Sequence, residues 1–312
     1  MRGVGVIEFG GPEALEVVAL PEVHAGPGEV RIRNHAAAVN PTDTMLRNGS
    51  RADALRDIQS PHIPGMDAAG VIDEIGPGTE TDLAIGDAVM AMVLPHGRHG
   101  AYRQSIVLSA DSVVRAPAGA GHVEACTLPM NALTARQSLD QLALEPGQTL
   151  GVTGAAGCYG GYVVQLAKAE GLRVVADSSD ADWKLVRDLG ADIIVPRGDD
   201  VAARMRLAVP GGVDGLADGA VQNELAVGAV RDGGSFAAVR GYGGTGERGI
   251  NFHVTMVRSY DQRADLLDTL RQQVEDGVLS LRVYDTYAME QAPDAHARLE
   301  AGGARGRCVI LF

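Results

Sequence analysis

The chain has 312 residues, 41 of them glycine, with 46% hydrophobic and 21% charged side chains. That length fits two modest domains better than one small core, and the apolar share excludes wholesale disorder. Acidic residues number 40 and basic ones 27, a formal net charge of −13. With no long Lys/Arg block, such a chain is a poor candidate for holding nucleic acid or an anionic membrane by charge.

The first third reads as strands and turns. Val4 to Phe9 is an expected strand closed by the turn signal Gly10-Gly11-Pro12. Glu29 to Asn34 alternates Val30 and Ile32 with Arg31 and Arg33, as a half-buried strand does. Val71 to Ile75 runs into Gly76-Pro77-Gly78, and Asp87 to Val93 follows Gly86. Short strands cut by Gly and Pro predict a small β-barrel or sandwich. Near residue 120 the pattern changes. Glu124 to Leu142 has helical spacing, with Pro129 early in it or at a break. Strands and helices then alternate: strand Thr149 to Thr153, helix Gly160 to Glu170, strand Arg173 to Ala176, helix Asp182 to Leu189, strand Ile193 to Val195. Val213 to Ala217 and Ser235 to Val239 add two strands, and the alternation predicts a parallel, doubly wound sheet. A long helix runs from Asp261 to Val274 and stops at Gly277; Cys308 to Leu311 is the last strand.

Cys126, Cys158 and Cys308 make neither a disulfide framework nor a CxxC pair, and the eight histidines show no metal-ligand spacing, so no metal is expected. No run approaches the roughly 18 apolar residues of a membrane span. Glu8 interrupts the start before a signal-peptide core builds. The expectation is a cytoplasmic protein whose partner is a small molecule, with no nucleic-acid and no membrane partner.

The most informative segment is Thr153-Gly154-Ala155-Ala156-Gly157-Cys158-Tyr159-Gly160. It leaves a strand and opens a helix, the context in which a Gly-rich turn binds a dinucleotide. Small residues admit a pyrophosphate to the backbone, and the helix N-terminus offers free N–H donors. The alternative is a tight turn with no ligand. Asp177 ends the next strand, followed by Ser178 and Ser179. An acid there accepts the ribose hydroxyls of NAD(H), or simply caps a helix. Arg197 and Lys184 offer cations for the 2′-phosphate of NADP(H) instead.

Further short motifs accompany this turn. They are Val39-Asn40-Pro41-Thr42-Asp43, Pro64-Gly65-Met66-Asp67-Ala68-Ala69-Gly70, Gly86-Asp87-Ala88-Val89, Leu133-Thr134-Ala135, Leu189-Gly190-Ala191-Asp192 and Gly233-Gly234. With these the chain resembles the medium-chain dehydrogenase/reductase superfamily, in particular its zinc-independent quinone oxidoreductase (zeta-crystallin-like) branch. The resemblance covers nearly the whole chain. It implies an α/β fold: a GroES-like β-barrel catalytic domain from residues 1–119 and 261–312, around a Rossmann domain of doubly wound parallel sheet from 120–260. It further implies a homodimer, an NAD(P)H cofactor with NADP(H) favoured, and hydride transfer to a quinone or an α,β-unsaturated carbonyl. Asn40 and Thr134 match family residues near the nicotinamide, and Gly241 follows a strand whose end faces the cofactor.

Zinc-containing relatives carry Cys in the Asn40–Asp43 stretch and His-Glu where Met66-Asp67 stand. The chain also departs from the zinc-free branch. Cys158 and Tyr159 replace a Gly and an aliphatic residue, Met45 replaces a tyrosine, and Asp182 falls where a lysine meets the 2′-phosphate. The candidate catalytic residues are Asn40 and Tyr159; Tyr159, Tyr102, Asp43 and water are the candidate proton sources. Two other readings stand beside the reductase: a zinc-free alcohol or ketone dehydrogenase of the same fold, and a non-catalytic dinucleotide-binding protein.

Overall fold

The computed structural model describes all 312 residues, which form two compact units. The first comprises Met1–Met130, Tyr260–Glu275 and Leu281–Phe312, so it contains both chain ends. The second comprises Asn131–Ser259 and Asp276–Ser280. No helix is long and apolar enough to cross a membrane.

In chain order the first unit begins with β1 (Arg2–Val6), β2 (Leu15–Ala19), β3 (Glu29–Ala38), α1 (Pro41–Arg47), α2 (Ala52–Leu55), β4 (Asp67–Ile75), β5 (Ala88–Met92), β6 (Ser105–Ser109), β7 (Val113–Arg115) and α3 (His122–Ala125). After α4 (Pro129–Leu142) come β8 (Thr149–Thr153), α5 (Cys158–Ala169), β9 (Arg173–Ser178), α6 (Trp183–Asp188), β10 (Ile193–Pro196), α7 (Val201–Ala208), β11 (Val213–Asp218), α8 (Glu224–Val227), β12 (Val230–Ala238) and β13 (Asn251–Val254). The chain ends with α9 (Ala264–Glu275), β14 (Val283–Ala288), α10 (Ala292–Glu300) and β15 (Arg307–Leu311).

The first unit holds a seven-stranded sheet in the order β14-β15-β3-β4-β5-β7, with β6 on β3, and a separate β1–β2 hairpin. β3 is its spine: Val30 and Ile32 are buried, while Arg31 reaches Asp73 (2.8 Å) and Glu74 (2.7 Å) on the neighbouring strand. Helical spacing from Glu124 to Leu142 resolves into α3 and α4, broken at Pro129, which opens the second helix because it lacks an N–H. α3 packs on β3, β4 and β5. The chain therefore leaves this unit after Met130, later than the boundary at 119/120 expected from sequence.

The second unit is built on a six-stranded sheet, all parallel, in the order β10-β9-β8-β11-β12-β13. The order runs outward in one direction from β8 to β10 and in the other from β11 to β13. The switch between them lies at the β8–β11 pair, whose carboxyl ends are the usual ligand crevice of such sheets. Every residue of β8 is buried, as a central parallel strand requires: Leu150, Gly151 and Val152 are flanked by Thr149 and Thr153, and the Thr153 hydroxyl donates to Asp218.

Candidate active site

β8 ends at Thr153 and α5 begins at Cys158, so Gly154 to Gly157 form the turn between them. Gly154 has φ +68°, a left-handed conformation that glycine adopts without steric cost. Ala155 and Ala156 are buried, and the Gly157 N–H donates to the Gly154 carbonyl at 2.9 Å. A Cβ at position 160 would lie 2.3 Å from the Gly154 carbonyl oxygen, so only glycine lets α5 approach the turn this closely. The first-turn N–H groups of Cys158, Tyr159 and Gly160 have no intrahelical acceptor, the general condition under which a helix N-terminus can receive an anion.

Asp177, near the end of β9, is almost fully buried. Its Oδ1 accepts the N–H groups of Gly154 (2.7 Å) and Ala155 (3.3 Å). Burial raises its pKa, while those two N–H groups and the Arg197 charge pull it back. The carboxylate expected to take the ribose hydroxyls is thus engaged in bracing the glycine turn. Ser178 donates to the Ser179 carbonyl (2.8 Å), and the Ser179 hydroxyl to Asp182 (2.5 Å). Of the two candidate cations, Lys184 is paired with Asp188 at 2.6 Å, on the exposed face of α6. Arg197, exposed just past β10, donates its N–H to the Ser178 carbonyl (2.9 Å) and lies within electrostatic reach of Asp177.

The Tyr159 hydroxyl sits 2.7 Å from Ser138 Oγ on α4. Ser138 in turn donates to the Thr134 carbonyl at 3.0 Å and lies 3.1 Å from Thr255 Oγ1, which donates to Gln141 (2.8 Å). Ser138 has a single hydrogen; when it goes to Thr134, Tyr159 is the donor of their bond. Burial raises the Tyr159 pKa further above the usual phenol range. The phenol expected near the reaction therefore directs its hydrogen into the second unit. Thr134 is itself nearly buried on α4, and Gly241 follows β12 at φ +91°.

In the first unit Asn40 is completely buried and caps α1. Its backbone N–H donates to Asp43 Oδ2 (2.8 Å), and its side-chain amide to Asp67 Oδ2 (2.6 Å). The other oxygens accept the N–H groups of Gly65 (Asp43, 2.9 Å) and Met130 (Asp67, 2.7 Å). Tyr102 Oη lies 3.3 Å from Asp43 and 3.1 Å from His296 Nε2, while Arg47 lies 3.4 Å from His296 Nδ1. Arginine can only donate, so Nδ1 accepts and Nε2 carries the ring hydrogen; this assigns the tautomer. That hydrogen goes to Tyr102, whose own hydrogen goes to Asp43. Burial raises Asp43 to about 6 and Asp67 to about 7; burial, then the Arg47 charge, lowers His296 to about 3. Tyr102 and Asp43, two candidate proton sources, are bonded to each other.

Residues 26–118 match the family model of the alcohol dehydrogenase GroES-like domain, and residues 189–310 that of the zinc-binding dehydrogenases. The chain is 28% identical to 2-methylene-furan-3-one reductase of Solanum lycopersicum over 99% of its own length and 79% of that protein. It is 27% identical to an NADPH-dependent alkenal/one oxidoreductase, chloroplastic, of Arabidopsis thaliana, over 97% of itself and 77% of that protein. A solved NAD-dependent alcohol dehydrogenase superposes with a TM-score of 0.88 at 29% identity, covering 100% of both chains. The chain belongs to the medium-chain dehydrogenase/reductase superfamily. It is also 34% identical to a quinone oxidoreductase of Rattus norvegicus, over 61% of itself and 57% of that protein.

A zinc ion, which one family model's description implies, does not fit the residues this member presents. Asn40, Thr42 and Met66 occupy the region, with the Thr42 hydroxyl 2.7 Å from Met66 Sδ, and both oxygens of Asp67 already accept N–H groups. No group of three or more His, Cys, Asp or Glu side chains is placed to hold an ion. Two residues escaped the sequence reading. Asp218 ends β11 much as Asp177 lies at the end of β9, an acid after an apolar run, and is fully buried. His296 gave no signal, because its partners Arg47 and Tyr102 lie 249 and 194 residues away.

Proposed function

We propose that the protein is an NADP(H)-dependent reductase delivering hydride to a quinone or an α,β-unsaturated carbonyl compound. The observation that carries the reading is the glycine turn braced by Asp177 at the switch point of the parallel sheet. The acceptor class is supported by the names of relatives, an alkenal/one oxidoreductase and a furanone reductase. In this reading the second unit is the dinucleotide domain and the first the catalytic domain, and two copies of the chain work as a homodimer.

A reduced nicotinamide supplies the hydride. The residues of this chain bind and orient it. Gly154, Ala155, Ala156, Gly157, Cys158, Tyr159 and Gly160 receive the pyrophosphate, with N–H donors from the first turn of α5. Asp177 holds that turn in place. Arg197 presents an exposed cation beside it for the 2′-phosphate, while Ser178 and Ser179 bring hydroxyls; this favours NADP(H) over NAD(H). On the family resemblance, Asn40 and Thr134 serve the nicotinamide end, the Asn40 amide being held by Asp67. A conjugated acceptor takes up the developing charge on its own oxygen, so no Lewis acid is required. Water supplies the proton, because Tyr159 donates to Ser138 and Tyr102 to Asp43. Aromatic residues make up only 4% of the chain, which favours an aliphatic enone over a large flat quinone.

The test follows cofactor absorbance with NADPH and NADH against a quinone, a short 2-alkenal and a saturated ketone. The expected result is turnover of the conjugated acceptors with NADPH. Arg197→Ala should weaken NADPH roughly tenfold or more and leave NADH unchanged, the loss of one charge-assisted contact. Turnover of the saturated ketone alone would move the assignment to an alcohol/ketone dehydrogenase. Binding without turnover would leave a non-catalytic binding protein.

A further inference from the structure

Among the turns of the second unit, the loop from Gly219 to Asn223 carries an unusual set of local sacrifices. Val221 has φ +57° and Asn223 has φ +51° with ψ −122°, conformations that side chains other than glycine's rarely adopt. Asn223 precedes α8 but its side chain makes no cap. The side-chain oxygens of Gln222 and Asn223 are both buried and accept no hydrogen bond. The loop is held in this state by Asp218, whose oxygens accept the Thr153 hydroxyl (2.5 Å), the Gln222 N–H (3.1 Å) and the Asn223 N–H (2.7 Å). A local conflict retained at several levels at once marks a working segment.

The position of the loop names its ligand. It follows β11, the strand across the switch point from β8. The β9 side of that crevice takes the adenosine ribose, so the β11 side takes the nicotinamide half. The loop also lies against the glycine turn: a Cβ on Gly154 would meet the Ala220 nitrogen at 3.0 Å, and one on Gly219 would meet the Tyr159 ring at 2.7 Å. Two orphaned carbonyl-type oxygens accept and cannot donate, so they match a ligand group that donates. On the nicotinamide ring that group is the carboxamide NH2.

We propose that Gln222 is a cofactor-recognition residue whose side chain turns to accept a hydrogen bond from the nicotinamide carboxamide. The strain at Val221 and Asn223 and the missing bond of Gln222 both favour that movement. The inference rests on the dinucleotide reading given above.

The test is calorimetric titration with NADP(H) and with its 3-acetylpyridine analogue, in which an acetyl group replaces the carboxamide and removes its N–H donors. The natural protein should bind the carboxamide form roughly five- to tenfold more tightly, the usual worth of one such bond. In Gln222→Met, and independently in Gln222→Ala, the ratio should fall to near one. Asn223→Gly, which relieves the positive φ, should raise the melting temperature and keep the ratio. A ratio near one in the natural protein, or an unchanged ratio in either folded Gln222 variant, overturns the proposal while leaving dinucleotide binding intact. Binding of neither compound overturns the dinucleotide reading itself, and this proposal with it.

Discussion

Replacing Gly160 by alanine is the perturbation whose cost follows most directly from the backbone. The added Cβ would lie 2.3 Å from the Gly154 oxygen, 2.8 Å from the Gly154 carbonyl carbon and 2.9 Å from Ala155 Cα. All three are main-chain atoms of the turn that Asp177 braces. At Gly157, an equally conspicuous glycine, the same Cβ would meet only the Gly154 oxygen, at 3.2 Å. The difference, 3.2 − 2.3 = 0.9 Å, is the distance by which the turn must retreat before position 160 is no more crowded than position 157. Overpacking typically costs about 1–3 kcal/mol, and a braced main chain places this site at the upper end. A misplacement near 1 Å in an aligned site also lowers turnover about a hundredfold. Gly160→Ala should therefore lose about 2–3 kcal/mol in urea unfolding and about two decades in kcat/KM for NADPH-dependent reduction. Gly157→Ala gives up a favourable N-cap residue and should cost about 1 kcal/mol, with kcat/KM within a fewfold. Equal effects of the two substitutions would refute the argument, since helix propensity by itself favours alanine at Gly160 and only the approach of α5 to the turn makes that site the costlier one.

Asp177 offers a second comparison. Asp177→Ala removes the acceptor for the Gly154 and Ala155 N–H groups and should weaken NADPH and NADH alike by calorimetry, whereas Asp177→Asn keeps an accepting oxygen and most of the affinity. A change in the NADPH/NADH ratio in Asp177→Asn would restore the acid as a ribose reader. Tyr159→Phe should keep kcat within about threefold and cost about 1 kcal/mol of stability, the loss of its bond to Ser138. A drop of two decades would make the phenol a proton donor after all. His296 ionises at about 3 when folded and near 6.5 when unfolded, so the stability tied to its neutral ring is present above pH 6.5 and lost as pH falls towards 3. At pH 5 the loss is about 2 kcal/mol, from 1.36 kcal/mol per pH unit. Buried Asp43 and Asp67, raised to about 6 and about 7, act in the opposite sense over the same range. The readout is therefore the difference between the natural protein and His296→Gln, measured by urea unfolding at about pH 7 and about pH 5. An identical pH dependence would place the ring outside that network.

Local signals were enough to find five of the six strands of the parallel sheet. β8 was legible from Thr149 to Thr153 because a central strand buried on both faces carries no charged residue and its threonines are β-branched. The glycine turn was legible because a strand cannot pass so closely into a helix without residues that lack a side chain. Elements whose character depends on remote partners were not. β13 and β14 are edge strands of mixed polarity, recognisable only by the ladders they join, and α10 is an alanine-rich segment with no strong local mark. α1 was hidden by the Asn40-Pro41 turn signal, although Pro41 and the Asp43 carboxylate are what start that helix. The same division runs through the candidate site. Asp177 was named from its place at the end of a strand, and Asn40 and Tyr159 from the family resemblance. Which hydrogen each shares, with the turn, with Ser138 or with Asp67, was decided by the tertiary structure. A side chain's type is written in its codon, but the direction of its hydrogen bonds and its pKa follow from neighbours that only folding brings near. For His296 those neighbours come from the far end of the chain.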